Sequence, residues 1–459
     1  MVHVAEDPSQ TPSAAPPRPG QSVSTADPEN VQFRTADLVS GKQLNCPIYD
    51  KSGLLLLAQG SLITARFKQL LEQRGIRDVM LSRADAQAMI GSIVVSEGKT
   101  SGATLDCNVV AKLDDMIKSG KLFIADAGPK FKDRLITRGC KGFNQEQRNE
   151  LAARHTETCS LLDDMIRAAA NGESMNGGDI ATVVSDYLTH LTADVDCVVD
   201  VAAHSRDFVG IGQHCLQTAL MAMAMAIEMG MTEETIRVIG ICGMVHDWGM
   251  TLVPPQIRNS NRVLNKIEFL EITKHPMYTV NLLQRVWGLP PQVPSICYQV
   301  HERPNGTGYP QGRQGKAIHP SALVLGVADS YVALASQRPN RPALKPYAAV
   351  ECLLRMAGEK MVDADAARAL LNILSQFPIG SLVQLTDGSK ARVLRRNGGH
   401  YNMPIVQILK KADGTLVDPR DESSVIDPAN SCLKIVRALP TPGRNQIDLD
   451  PATLYVKRD

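Results

Sequence analysis

The sequence predicts a mainly α-helical protein: an all-helical bundle flanked by a small N-terminal α+β module and a small C-terminal β module. Prolines and capping residues at the start of apolar runs recur between residues 200 and 375, which is typical of consecutive helices. Short apolar runs joined by Asp-Gly pairs follow residue 376, and this arrangement is typical of β-hairpins. The chain has 459 residues, 44% of them hydrophobic, which is enough for two or three domains with a sizeable core.

The first 83 residues are expected to form a disordered tail and then a compact module. Residues 1–32 are rich in Pro, Ser, Ala and Gln, so they bury too little apolar surface to offset their chain entropy. Residues 33–83 should form the α+β module, with a helix that Thr64 caps and Gly75 ends. Its strands are expected at 44–49, 54–57 and 79–81. A sensory or docking role and a packing role without a ligand both fit this module.

A helical connector is predicted for residues 84–199. Its clearest element begins at the capping residue Asn144, runs to Ala170 and ends at Asn171-Gly172. Apolar residues recur along one side of this helix, as expected for a helix that packs against others. A contact within the bundle or between two chains would use the same stripe.

Residues 200–375 are predicted to form the helical core. A helix that contains His214 should follow Gly210 and end at Gly230, and Thr232 should cap the next one. Proline tolerates the first turn of a helix because its missing N–H would have no partner there. Three further helices are therefore expected to start at Pro276, Pro294 and Pro320.

The end of the chain changes character again. Asp387-Gly388 and Asp413-Gly414 each separate two apolar runs, so residues 376–437 should form a small β module built from hairpins. Residues 438–459 are expected to be a loose tail.

Composition excludes several classes of protein. A formal net charge of +1 argues against a broad nucleic-acid-binding face, so no DNA partner is expected. No run of 18 apolar residues is present, so no membrane span is expected. Ten cysteines without C-x-x-C spacing fit reduced thiols in a cytoplasmic protein.

Histidines and aspartates recur through the predicted core in an order that suits metal binding. His246 and Asp247 are adjacent, so one short turn can present both to the same ion. Further candidates are His214, His275, His301 and Asp329. Imidazole and carboxylate together suit iron, manganese or zinc rather than calcium. The pattern therefore predicts a site for one or two divalent metal ions.

Five ordered blocks make the segment between about residues 200 and 375 resemble the HD-GYP family, a branch of the HD-domain metal-dependent phosphohydrolases. After His214, the blocks read His246-Asp247-Trp248-Gly249, Lys274-His275-Pro276, Val300-His301-Glu302-Arg303, Gly308-Tyr309-Pro310, and Ala328-Asp329 followed by Arg338-Pro339-Asn340-Arg341. The resemblance implies an HD-type bundle that acts in bacterial second-messenger signalling.

The resemblance also assigns roles to these residues, with His246 and Asp247 as the catalytic pair. A first ion would be held by His214, His246, Asp247 and Asp329. A second would be held by Asp247, His275 and His301, with Asp247 bridging because a carboxylate has lone pairs for two metals. Iron and manganese are favoured over zinc. The substrate would contact Tyr309, Arg338 and Arg341, and the two arginines would face one side if the turn between them is helical.

Two departures from the family pattern bear on activity. The family has a lysine where this chain has Met250, so one positive charge aimed at a phosphate is missing. It has a histidine where this chain has Val300, so one ligand of the second metal is missing. Val332 stands in place of an aspartate, and Asn340 in place of a tyrosine.

Two functions fit this pattern. The first is a metal-dependent phosphodiesterase that hydrolyses cyclic di-GMP to linear pGpG or GMP. The second is a degenerate HD-GYP module that binds a metal, a nucleotide or a signalling partner without turnover. The protein partners that the resemblance implies are GGDEF-type or other signalling proteins and a second copy of the chain, as a homodimer.

Overall fold

The structure is a computed structural model that describes the chain in segments. These are residues 30–35, 38, 44–61, 63–82, 85–86, 107–119, 128–204, 210–338, 341–418, 420–441 and 446–448. The expected tail at residues 1–29 and the end of the expected C-terminal tail lie outside the described residues. The chain divides into two compact units, and the division falls between residues 101 and 109.

Among its described residues, the N-terminal unit contains a four-stranded antiparallel sheet and the helix Ala65–Gln73, which is the α+β class that the sequence predicts, with one strand more than expected. In spatial order its strands are Asn30–Arg34, Asp78–Ser82, Ile48–Tyr49 and Leu55–Leu57. The helix Ala65–Gln73 begins where the hydroxyl of Thr64 accepts a hydrogen bond from the Phe67 amide, and Gly75 follows its end with φ +69°. The first strand starts at Asn30, three residues before the expected start of the module at residue 33, and Phe33 belongs to this unit's core.

The second unit is mainly helical. Its α-helices among the described residues are Cys107–Lys118, Gln145–Ala170, Gly178–Ala193, Val195–His204, Ile211–Glu228, Glu233–Val245, Pro255–Arg258, Lys266–Ile272, His275–Leu283, Val293–Cys297, Pro320–Ala335, Pro346–Gly358 and Ala364–Leu374. Short 3₁₀ turns lie at Phe131–Arg134, Trp248–Leu252, Gly315–Ala317 and Glu422–Ser424. Within this part of the chain, no described helix is long and apolar enough to cross a lipid bilayer.

Capping residues start several of these helices where the sequence predicts them. Asn144 accepts from the Gln147 amide at 3.1 Å, and Thr232 accepts from the Thr235 amide at 3.4 Å. Each side chain satisfies an amide that has no partner inside its helix. The predicted proline starts are also confirmed at Pro276, Pro294 and Pro320.

The helix Ile211–Glu228 lies at the centre of the bundle and is buried on all sides. Met221, Met223 and Met225 are buried in the main core, where the flexible methionine side chain fills irregular space. The next helix crosses very close to it, since a Cβ on Gly243 would lie 2.5 Å from the Ala219 Cα. This close crossing brings the residues that follow Val245 up against the His214 helix.

The core is not the all-helical bundle that the sequence predicts, because it also contains two short parallel strand pairs. Val286–Trp287 pairs with Met175–Asn176, and Ala343–Leu344 pairs with Gln446–Ile447. The second pair also corrects the expected loose tail, because part of that segment adds a strand to the core. The strand Ile435–Leu439 likewise runs two residues into the expected tail, residues 438–459.

The C-terminal module is a five-stranded antiparallel sheet, which agrees with the small β module that the sequence predicts. In spatial order its strands are Val425–Ile426, Ile405–Lys410, Lys390–Arg395, Leu382–Leu385 and Ile435–Leu439. Asp387-Gly388 forms the predicted hairpin turn. The segment after Asp413-Gly414 is not the expected strand, because it makes a single bridge between Lys410 and Leu416.

Candidate metal centre

Several elements bring the six candidate ligands to one place. His214 lies in the first turn of the central helix, and His246 ends the next helix, with Asp247 directly after it. His275 starts a helix, and Asp329 lies in the middle of Pro320–Ala335. His301 lies in the turn after Val293–Cys297, beyond the helix end where the sequence placed it.

Asp247 lies between the other ligands. Its Oδ1 lies 3.1 Å from His275 Nε2, 3.3 Å from His301 Nε2 and 3.5 Å from His246 Nε2. Its Oδ2 lies 3.5 Å from His214 Nε2. The two oxygens of one carboxylate thus face different histidines, which is the arrangement that a bridging ligand needs.

Asp329 completes the other side of the site. Its Oδ1 lies 2.9 Å from His214 Nε2 and 3.9 Å from His246 Nε2, while its Oδ2 lies 3.5 Å from His301 Nδ1. Two sets of three ligand atoms are close enough to share an ion: His214 with His246 and Asp329, and His246 with Asp247 and His301. His301 therefore reaches both aspartates, whereas the sequence placed it in the second ion's set alone.

The donor atoms fit a metal ion in spacing and in orientation. Two ligand atoms bound to one ion at about 2.1 Å lie roughly 3.0–3.5 Å apart at octahedral or tetrahedral angles, close to most of the separations above. The Nδ1 atoms of His246 and His275 each lie 2.8 Å from a backbone carbonyl, of Gly243 and Ile272. That contact fixes the tautomer and leaves Nε2 with a free lone pair. Nε2 of His246 is buried and makes no hydrogen bond, as expected for an atom that coordinates a metal ion.

The charges of the site keep its carboxylates ionised. Burial alone would raise the pKa of Asp247, but His246 and His275 hold it well below its ordinary value. Burial opposes the same change at Asp329, where the neighbouring imidazoles of His214, His246 and His301 lower the pKa. Burial lowers the pKa of His275 and keeps its imidazole neutral. Ionised carboxylates and a neutral imidazole are the forms that coordinate metals.

Thr279 fixes the turn that carries His246 and Asp247, a role that the sequence reading missed. Its hydroxyl donates to the His246 carbonyl at 2.9 Å and accepts from the Gly249 amide at 2.9 Å. Gly249 must lack a side chain, since a Cβ there would lie 2.1 Å from the His275 carbonyl oxygen. A threonine one helical turn after His275 is the sequence signal that could have identified it.

Tyr309 covers the His301 side of the site. Its ring stacks on the His301 imidazole with centroids 5.1 Å apart and planes 13° apart, and it meets His275 edge-on at 5.9 Å. Burial and the charges of Asp247 and Asp329 raise its pKa, so its hydroxyl stays protonated and can donate to a phosphate.

The two arginines proposed for substrate binding differ in their surroundings. They are joined as a β-bridge by mutual backbone hydrogen bonds of 3.0 and 3.1 Å, so the helical condition under which both would face one side is not met at these two residues. The guanidinium of Arg341 donates to the carbonyls of Ala333, Leu334 and Pro342 and so caps the end of the Asp329 helix. Arg338 is partly buried, and its charge acts on the pKa of Tyr309.

The departures from the family pattern lie in different surroundings. Val300 is 1% exposed and belongs to the main hydrophobic core. Met250 is partly buried in the turn Trp248–Leu252, and its carbonyl accepts from Arg258 Nη1 at 2.9 Å. A cation therefore lies beside the Met250 backbone although the lysine is missing. Val332 is buried in the core, and Asn340 lies outside the described residues.

Comparison with known proteins agrees with the geometry. Residues 197–366 match the HD domain family. The chain is 26% identical over 257 residues to the cyclic di-GMP phosphodiesterase PA4108 of Pseudomonas aeruginosa, covering 56% of this chain and 61% of that one. It is 33% identical over 135 residues to the 3'3'-cGAMP-specific phosphodiesterase 1 of Vibrio cholerae, covering 29% of this chain and 30% of that one.

A solved structure is also similar: Bd1817, an HD-GYP protein from Bdellovibrio bacteriovorus, at 14% identity and a TM-score of 0.41, over 74% of this chain and 98% of that one. The chain spans less than two thirds of the length of either relative named above. Residues 197–366 of this chain therefore match the HD domain family, and the ordered histidine, aspartate and Gly-Tyr-Pro blocks within them resemble those of its HD-GYP branch.

Proposed function

We propose that this protein is a metal-dependent phosphodiesterase that hydrolyses cyclic di-GMP to linear pGpG or GMP. The observation that carries the proposal is the convergence of four histidines on the two oxygens of Asp247, with Asp329 opposite. Phosphodiester hydrolysis at neutral pH needs an activated water and charge stabilisation at the phosphoryl oxygens, and bound divalent metal supplies both. The relatives named as cyclic dinucleotide phosphodiesterases support this substrate class.

The residues of the chain would orient the substrate around that centre. His214, His246, Asp247 and Asp329 would hold one ion, and Asp247 with His275 and His301 a second. Tyr309 can donate its hydroxyl to a phosphate oxygen while its ring remains stacked on His301. Arg338 can pair with a phosphate, because a guanidinium offers two parallel donors. Arg341, which donates to three carbonyls, would position this turn rather than bind phosphate directly.

Iron or manganese fits this ligand set better than zinc. Structural zinc sites are almost always four-coordinate, whereas here four imidazoles and two carboxylates converge on one place. A mixed set of nitrogen and oxygen donors without thiolate suits iron and manganese. Protein partners of the GGDEF type and a homodimer remain predictions from the resemblance.

A binding module without turnover is the second candidate, and two observations favour it. Val300 offers no lone pair and lies in the hydrophobic core, so the second ion has only Asp247, His275 and His301 from the protein. Met250 supplies no positive charge to the substrate. Such a protein would hold metal and cyclic dinucleotide and release the nucleotide unchanged.

The deciding experiment measures metal content and turnover in the same preparation. The full chain is purified without oxygen, its iron, manganese and zinc are counted, and hydrolysis of cyclic di-GMP and 3'3'-cGAMP is followed with and without air. Asp247→Asn should lose metal and turnover together, because the amide has one oxygen acceptor where two are needed. His400→Ala is the matched control, because His400 is exposed on a distant turn and should change neither quantity.

The outcomes separate the candidates. Turnover of cyclic di-GMP that depends on Asp247 supports the phosphodiesterase. Bound metal and bound nucleotide without product support the binding module. A protein that binds no divalent metal under either condition contradicts both.

A further inference from the structure

The loop that carries Tyr309 is held from inside by Glu302. This carboxylate is 5% exposed, and its two oxygens accept hydrogen bonds from the backbone amides of Gln311 and Arg313, each at 2.8 Å. The Tyr309 amide donates to the His301 carbonyl at 3.1 Å. These contacts hold the loop from Glu302 to Arg313 beside His301. The position of the loop therefore determines where the Tyr309 ring lies.

The same loop is held from outside by Asp114, a residue more than 180 positions earlier in the chain. One carboxylate oxygen of Asp114 pairs with Arg313 Nη2, and the other accepts from Gln311 Nε2 at 3.3 Å. Gln311 Nε2 also donates to the Tyr298 hydroxyl at 2.9 Å. The side chains of Asp114 and Arg313 are 16% and 10% exposed, so solvent screens this ion pair far less than a surface pair.

The helix Cys107–Lys118 that presents Asp114 is itself packed beside the metal centre. Its Leu113 and Ile117 are buried against Val280 and Tyr298 in a small separate core. Val280 belongs to the helix that His275 starts, and Tyr298 precedes His301 by three residues. The helix therefore contacts both segments that carry ligands of the Asp247 Oδ1 side.

We propose that Asp114 is a positioning residue for the candidate active site. Through Arg313 and Gln311 it fixes the outer face of the Glu302–Arg313 loop, and the loop holds Tyr309 on His301 where a phosphate would bind. This inference rests on the proposed function for its effect on catalysis but not for its effect on the loop. It assigns a role in the site to a helix outside the matched HD domain, residues 197–366.

Hydrogen exchange of the backbone amides tests the loop directly and needs no activity. In the full-length protein, Asp114→Ala and the near-isosteric Asp114→Asn should speed exchange in the segment 309–313 by about tenfold, the effect of losing one charged hydrogen bond. Asp114→Glu, which keeps the charge, should restore much of the protection. Asp115→Asn is the matched control, because Asp115 is the exposed neighbour on the same helix and should leave the segment unchanged.

The kinetic readout separates positioning from general stability. If Asp114 positions Tyr309 for the substrate, Asp114→Asn should raise KM for cyclic di-GMP by about fivefold with kcat and metal content within about twofold of wild type. A loss of metal in this variant would instead mean a structural role and overturn the proposal. Unchanged exchange at 309–313 in both Asp114→Ala and Asp114→Asn would also overturn it. If wild-type protein hydrolyses no cyclic dinucleotide, the proposed function fails, and the exchange result still decides the role of Asp114.

Discussion

Two single residues, Val300 and Met250, decide how much activity to expect from an otherwise complete site. Both lie next to groups that the site uses, His301 in one case and Asp247 in the other. Val300 bears on how many ions bind, because it is where a ligand is missing. Met250 bears on how well charge is stabilised during reaction. The two losses therefore act on different quantities and can be measured apart.

Val300→His is expected to raise the number of metal ions bound per chain, because it adds an imidazole beside the three protein ligands of the second ion. Losing one ligand should weaken metal binding by at least the roughly 10–100-fold known for changes around metal ligands. Metal content at limiting free manganese checks this. Val300→Phe is the control, since it is also large but has no lone pair. Equal metal content in the two variants would show that position 300 does not face the ion.

Met250→Lys is expected to raise kcat for cyclic di-GMP at saturating metal, because it adds a cation near the scissile phosphate. A positioned charge of this kind is worth up to about 3 kcal/mol, or on the order of 100-fold. Met250→Leu keeps the size without the charge and should leave kcat unchanged. The nearby Arg258, which donates to the Met250 carbonyl, limits the gain through like-charge repulsion. A lysine variant no faster than the leucine variant would argue that the missing charge is not limiting.

At the scale of single elements, local sequence signals predicted the starts of several helices. Asn144, Thr64 and Thr232 cap helices as expected, because each satisfies an amide through contacts within three residues. Contacts between distant segments had no such signal. The ion pair between Asp114 and Arg313 and the β-bridge between Arg338 and Arg341 could not be predicted from the spacing of residues, because both depend on how the chain packs.

His155, in the helix Gln145–Ala170, gives that element a pH-dependent stability. It is fully buried, neither ring nitrogen has a hydrogen-bond partner, and burial lowers its pKa from 6.5 to about 4. Between pH 6.5 and 4 the unfolded chain binds a proton here and the folded chain does not. Its stabilising contribution is therefore complete above pH 6.5 and is lost as pH falls toward 4.

Between pH 7 and pH 5, His155 should account for a loss of about 2 kcal/mol in the free energy of unfolding. Urea unfolding of wild type and His155→Leu at both pH values measures this contribution as the difference between the two proteins. His400→Leu, at an exposed histidine, serves as the control. An equal loss of unfolding free energy between pH 7 and pH 5 in wild type and His155→Leu would mean that His155 is already paired or exposed.

At the scale of the whole second unit, the C-terminal β module is joined to the helices by buried ion pairs. Arg395, 2% exposed, pairs with Asp194 at 2.8 Å, and Leu394 beside it belongs to the main core. Asp200, with no exposed side-chain surface, pairs with Arg148 at 2.8 Å and Arg392 at 2.6 Å. The hairpin signals of residues 376–437 predict a β module but not these ion pairs, because which charges are buried together depends on how the module packs against the helices.

Asp200→Asn should lower the free energy of unfolding by about 3 kcal/mol, because it leaves two arginines partly buried without their counter-charge. Thermal or urea unfolding measures this loss. Asp365→Asn breaks an exposed pair with Arg368, at 76% and 72% exposure, and should cost less than about 1 kcal/mol. Metal content per folded molecule should not change in either variant. A loss of metal from Asp200→Asn would show that the β module supports the centre directly.

The position of bound metal tests the central claim most directly. Crystals of the protein loaded with manganese without oxygen should show anomalous density within about 2.0–2.3 Å of both Asp247 oxygens, with His214, His246 and Asp329 around one ion and His275 and His301 around the other. A weak second peak is expected because of Val300. Density bound elsewhere, or a manganese-loaded protein in which Asp247 contacts no ion, would contradict the account.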